Sequence, residues 1–171
     1  MGGDDYKNTT EPPYCYNMFK DCKWTFDGLK LSATTLGSGS YGHMFENCIN
    51  LTNAPELPAK ILSDNCYESM FSSCINLTNA PDLHATTLAK YCCYGMFSGC
   101  TSLTNIHELP ATTLSDHCYE SMFSGCTGLQ TLPEGLLPAK SGSASYCYRK
   151  MFSGCTGLTS IPEGLSLLTV L

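Results

Sequence analysis

The stretch Cys66-Tyr67-Glu68-Ser69-Met70-Phe71-Ser72-Ser73-Cys74-Ile75-Asn76-Leu77-Thr78-Asn79-Ala80-Pro81-Asp82-Leu83 returns along the chain with small changes. Its Met-Phe dipeptide recurs at Met18-Phe19, Met44-Phe45, Met70-Phe71, Met96-Phe97, Met122-Phe123 and Met151-Phe152, evenly spaced except for a slightly longer last interval. Four residues after each Met stands a cysteine: Cys22, Cys48, Cys74, Cys100, Cys126 and Cys155. Leu51, Leu77, Leu103, Leu129 and Leu158 follow five of these at a fixed offset. A unit as short as Met44 to Met70 cannot bury a core of its own, so its apolar residues must be covered by the units on either side. The expected product is a solenoid.

Within one unit, Cys66, Tyr67, Met70, Phe71 and Cys74 fall at i, i+1, i+4, i+5 and i+8, which reads as one face of a short helix. Glu68, Ser69, Ser72 and Ser73 make the other face. Ser63 and Asp64, and later Ser115 and Asp116, are placed to cap its first turn. Gly99, Gly125 and Gly154 lie at its far end, where a left-handed residue is often needed. The Leu-Thr-x-Ala/Ile segment that follows ends at proline and reads as a strand of three or four residues. Stacked strands about 4.8 Å apart would form a parallel sheet. The expected class is therefore α/β: a βα solenoid of about six 26-residue units with short parallel strands and short helices.

The whole chain has 171 residues, 43% of them apolar and 14% charged, with a net charge of −6, so a basic nucleic-acid footprint is absent. No apolar run approaches the roughly 18 residues that cross a bilayer, so no membrane insertion is expected of this segment. Met1-Gly2-Gly3-Asp4-Asp5 is acidic where a signal peptide is basic, and the last unit stops at Leu171 inside a repeat. These features suggest an excerpt from a longer protein or a truncated array. The expected organisation is an N-terminal extension over 1–13 and one repeat domain over 14–171, its first unit degenerate at Lys23-Trp24-Thr25-Phe26.

The pattern Met-Phe-x-x-Cys-x-x-Leu-Thr-x-Ala-Pro-x-Leu-Pro-Ala-Thr-Thr-Leu resembles the BspA-like leucine-rich repeats of bacterial surface proteins, including their 26-residue surface-protein variety. The resemblance spans about residues 14–165. It implies a right-handed leucine-rich-repeat solenoid, displayed outside a bacterial cell, that serves adhesion or protein binding. It does not imply catalytic residues, and no cofactor is expected. A structural spacer that projects another domain is the alternative. Host or bacterial surface proteins are the implied partners; the oligomeric state is not legible.

Twelve cysteines require an account. Cys15, Cys66, Cys92, Cys118 and Cys147 precede Met-Phe in five units, and Ser40 takes that place in the second. Three readings compete: free thiols buried on the helix face, bridges within a unit such as Cys66–Cys74, and bridges between units such as Cys48–Cys66. Eight helical residues span about 12 Å, beyond the reach of a disulfide, and stacked cysteines present parallel Cβ vectors. Free buried thiols are the expectation, although an extracellular setting favours disulfides. No Cys-x-x-Cys pair occurs and the four histidines occupy four different places in the frame, so no metal site is expected.

Several motifs resemble chemistry without its context. Gly37-Ser38-Gly39-Ser40-Tyr41-Gly42 fits a phosphate-binding fingerprint but sits in a repeat turn. Leu109-Pro110-Ala111-Thr112 has the start of a sortase signal, yet Thr113 stands where glycine is required. Asn8-Thr9-Thr10, Asn50-Leu51-Thr52 and Asn76-Leu77-Thr78 fit a glycosylation sequon, two of them as products of the repeat. No Ser, His and Asp recur as a set, so catalysis finds no support.

One column does suggest binding. Glu56, Asp82, Glu108, Glu134 and Glu163 come eight residues after the second cysteine of their units, with Lys30 in the first. Stacking would align the acids about 5 Å apart, either as a solvated edge or as a strip that attracts a basic partner surface or loosely held calcium. Beside it run Thr52, Thr78, Thr104 and Thr159, with Asn53, Asn79, Asn105, Thr131 and Ser160, small polar columns suited to hydrogen bonding along a stack.

Overall fold

A computed structural model describes residues 15–137 and 144–162. Successive units stack in register. The rings of Phe45, Phe71, Phe97 and Phe123 lie face to face at centroid spacings of 5.5 Å and within 6° of parallel. Phe19 and Phe152 extend the ladder at 5.6 Å on either end. Around it the buried interior holds Met44, Met70, Met96, Met122 and Met151, then Cys48, Cys74, Cys100, Cys126 and Cys155, and Leu51, Leu77, Leu103 and Leu129.

The α/β expectation fails at both elements. The described residues contain no helix, and their only β-pairing is isolated parallel bridges at Thr35–Ile61, Asn53–Asn79, Asn79–Asn105 and Thr87–Thr113. Where helices were expected, the chain runs as unbroken strings of turns over 38–47, 64–73, 90–99, 116–125 and 145–154, with a shorter one over 16–21.

The hydrogen bonds show why. In the second unit, Gly42 N–H donates to Gly39 O, Met44 to Tyr41, Glu46 to His43 and Cys48 to Phe45, at 3.0–3.2 Å, each closing a four-residue turn. The residues between them turn outward along the stack: Tyr41, His43, Phe45 and Asn47 donate to the carbonyls of Cys66, Glu68, Met70 and Ser72 in the next unit, at 2.7–2.9 Å. A helix would direct all these N–H groups to carbonyls four residues back. Here every second one joins the unit ahead, as Tyr41 does with Cys66.

Backbone dihedrals follow the same rhythm, with positive φ at every fourth residue. Asn65, Ser69 and Ser73 have φ of 59°, 50° and 61°, and Gly95 and Gly99 have 56° and 75°. Such a residue at the third place of a turn is the mark of type II geometry, so turns with and without it alternate along each string. Asn and Gly adopt this conformation most readily.

Two further expectations change with the helix. Asp64 and Asp116 do not cap their own segment; their Oδ1 atoms accept from the backbone N–H of Lys90 and Ser145 in the following unit, at 3.0 and 2.8 Å. The expected strands shrink to one bridged residue per unit at Asn53, Asn79 and Asn105. There Asn105 Nδ2 donates to Asn79 Oδ1 at 2.7 Å, while Thr104 Oγ1 donates to Thr78 O at 3.3 Å. The expected extension over 1–13, the end of the last unit and Glu163 lie outside the described residues.

All twelve cysteines are free thiols. Those of Cys74, Cys100 and Cys126 each donate to the carbonyl of Phe45, Phe71 and Phe97 one unit back, at 3.1 Å. Cys93 interrupts the tyrosine column between Tyr67 and Tyr119, whose hydroxyls are buried without a hydrogen-bond partner among the described residues.

Candidate functional site

The acidic column is on the surface. Glu56, Asp82, Glu108 and Glu134 are all exposed, the first three in the arm that follows the bridged residue of their unit, Asn53, Asn79 or Asn105. Asp82 Oδ1 lies 3.4 Å from Nδ1 of His107 in the next unit. A carboxylate oxygen of Glu108 lies 3.7 Å from the Cβ position of Gly135, so this side chain leans along the stack. Glu56, Glu108 and Glu134 form no ion pair among the described residues. No three of His, Cys, Asp and Glu converge there to hold a metal ion, which leaves the calcium reading without a ligand set among the described residues.

A second surface feature was not singled out from the sequence. On the outer face of the turn strings, two neighbouring columns run up the stack. One carries Asn65, Tyr91, His117 and Tyr146, all with positive φ. Three residues further on, the other carries Glu68, Tyr94, Glu120 and Arg149. All of these but Tyr146 line an open groove of about 410 Å³.

Pairs across each turn join the columns. Asn65 Nδ2 donates to Glu68 Oε2 at 2.7 Å, and His117 Nδ1 is hydrogen bonded to Glu120 Oε2. The rings of Tyr91 and Tyr94 meet at 6.0 Å and 60°, forming a corner. Along the stack, Tyr91 and His117 are parallel at 4.5 Å, and His117 and Tyr146 are 5.2 Å apart. Glu120 is nearly buried, 7% exposed, and its second oxygen faces Arg149 Nη1 at 3.5 Å. The Arg149 guanidinium also sits 5.3 Å from the Tyr146 ring centre. A related set occurs near the start of the stack, where Glu46 takes Lys20 Nζ at 3.0 Å and His43 Nδ1 at 2.5 Å. Partial burial alone would raise the Glu46 carboxyl, but these two donors hold it below its ordinary value.

The sequence did contain the signal for this groove. Glu68 belongs to the face read as polar, and comparing the columns at its position and three residues earlier, unit by unit, shows Tyr, His, Glu and Arg where the second unit has Gly39 and Gly42. Reading that face as a solvated helix surface concealed the stacking of its side chains.

Comparison with protein-family models, curated proteins and solved structures finds no match to this chain. Among the described residues, no helix is long and apolar enough to cross a membrane.

Proposed function

We propose that this chain is a non-catalytic binding or adhesion module of a bacterial cell surface, acting on a host or bacterial surface protein. The observation that carries the reading is the repetition of exposed side chains in register. Each unit adds a copy of the same columns, so a partner meets one surface many times and weak contacts reinforce one another. The similarity of the repeat residues to BspA-like surface-protein repeats supports the same reading and its extracellular setting. The acidic column supplies long-range attraction for a basic partner face.

The test is retention of extracellular-matrix and bacterial surface proteins on the immobilised chain. A variant with Glu56, Asp82, Glu108 and Glu134 changed to Gln is the control. Specific retention that weakens in the variant and with added salt is expected. Absence of any retained protein would favour the spacer reading, for which the continuous ring ladder at 5.5 Å is a suitable rigid support.

A further inference from the structure

Unit by unit, the groove on the turn face has an uneven distribution of charge. Arg149 rests on two groups: the ring of Tyr146 three residues earlier, at 5.3 Å, and the carboxylate of Glu120 one unit back in its own column, at 3.5 Å. Two units earlier the same places are filled differently. Tyr91 replaces Tyr146 and Glu68 replaces Glu120, but Tyr94 stands where the guanidinium would be. Glu68 therefore has no lysine or arginine partner among the described residues. The basic side chain nearest to it is His43, whose Nε2 is 3.9 Å away, and the Glu68 side chain keeps 27% of its surface exposed.

The walls at this point suit a cation. Tyr91 and Tyr94 line the groove with Glu68 and meet at 60°, and His117 covers one face of Tyr91 at 4.5 Å. Aromatic faces attract cations through their quadrupole, and a nearby carboxylate adds direct charge attraction. Asn65 Nδ2 holds the Glu68 carboxylate through Oε2, Oε1 stands 3.9 Å from His43 Nε2, and the side chain lines the groove beside Tyr91 and Tyr94. A planar guanidinium can lie over a ring and pair with a carboxylate at once, as Arg149 does with Tyr146 at 5.3 Å and Glu120 at 3.5 Å.

We infer that Glu68, Tyr91 and Tyr94 form a subsite for an arginine side chain of a protein partner, with Arg149, Tyr146 and Glu120 as its occupied internal counterpart. This deepens the binding-module reading and rests on it for the partner's being a protein.

The experiment titrates the full chain with acetyl-Gly-Arg-Gly-amide and, separately, acetyl-Gly-Gln-Gly-amide, following chemical shifts of the Tyr91 and Tyr94 rings. Saturable shifts with the arginine peptide alone are expected, weakening with salt. Glu68→Gln should weaken that binding about three- to tenfold, whereas Asp27→Asn, an exposed carboxylate outside both the groove and the acidic column, should leave it unchanged. Tyr94→Arg places a guanidinium in the subsite and should abolish peptide binding in a folded protein. Equal response to both peptides, or undiminished binding by Glu68→Gln, would overturn the assignment. Retention of a surface protein without any arginine-peptide binding would sink the subsite and leave the module standing; peptide binding with no retained protein would do the reverse.

Discussion

The cysteines show how one residue type solves a local problem that recurs in every unit. Phe45 O already accepts the N–H of Cys48 at 3.0 Å, and the Cys74 thiol brings it a second donor at 3.1 Å. Valine would fill that place without a donor, and a disulfide would remove the S–H altogether. Burial also pushes these thiols up, Cys48 to about 11 and Cys74 to about 12, from an ordinary value of 9.0. The unfolded chain releases these protons first, so the native state binds more protons above pH 9 and its stability falls as pH rises from 9 towards 11. Urea midpoints should accordingly hold steady from neutral pH to 9 and decline above it; a midpoint that rises there would contradict the burial. In a disulfide-exchange assay without reductant, half-buried Cys15, Cys22 and Cys147 should react in the native protein, and all twelve cysteines after denaturation.

At the scale of the element, the turn string explains both the strict pattern and its misreading. Apolar pairs at Cys66-Tyr67 and Met70-Phe71, then Cys74, repeat every four residues. On an α-helix, eight residues overshoot two full turns by about 80°, so a strict period of four drifts off a helix face. It stays in phase with a backbone whose left-handed residue also returns every fourth position. Far-UV circular dichroism should lack the double minimum of an α-helix, and a helical spectrum would refute the turn string. Glycine matters most where backbones approach closely. Gly125, with φ of 73°, lies 3.7 Å at its Cβ position from the Gly99 Cα, and Ala there should cost about 1–2 kcal/mol from the left-handed conformation alone. Gly128→Ala should cost more, because its Cβ would stand 2.6 Å from Thr101 O and 2.9 Å from Leu103 O. Urea unfolding of the two variants measures the order.

For the whole molecule, contacts run mainly between adjacent units, so stability accumulates along the stack and depends on its middle. Phe97 is 1% exposed and lies between Phe71 and Phe123, each 5.5 Å away. Phe97→Ala removes a buried ring and two stacking contacts, and should cost about 3–5 kcal/mol in chemical denaturation. Phe19 is only partly buried and stands at one end of the described ladder, so Phe19→Ala should cost clearly less. Equal losses at the two positions would contradict a nearest-neighbour stack. The last interval, from Met122 to Met151, is longer than the others, yet the Phe123–Phe152 spacing is 5.6 Å, so the added residues do not disturb the ladder.

The repeat length, the residues facing inward and the exposed acidic column were all legible by aligning Met-Phe, Cys and Leu, because burial follows side-chain polarity and polarity is written in each unit. The backbone between those side chains was not. Whether Tyr41 N–H turns back along its own segment or across to Cys66 O depends on a neighbour a whole unit away, and either choice satisfies the same apolar pattern. The groove was hidden for the same reason: Glu68, Tyr94, Glu120 and Arg149 are far apart along the chain and become neighbours only when the units pile up.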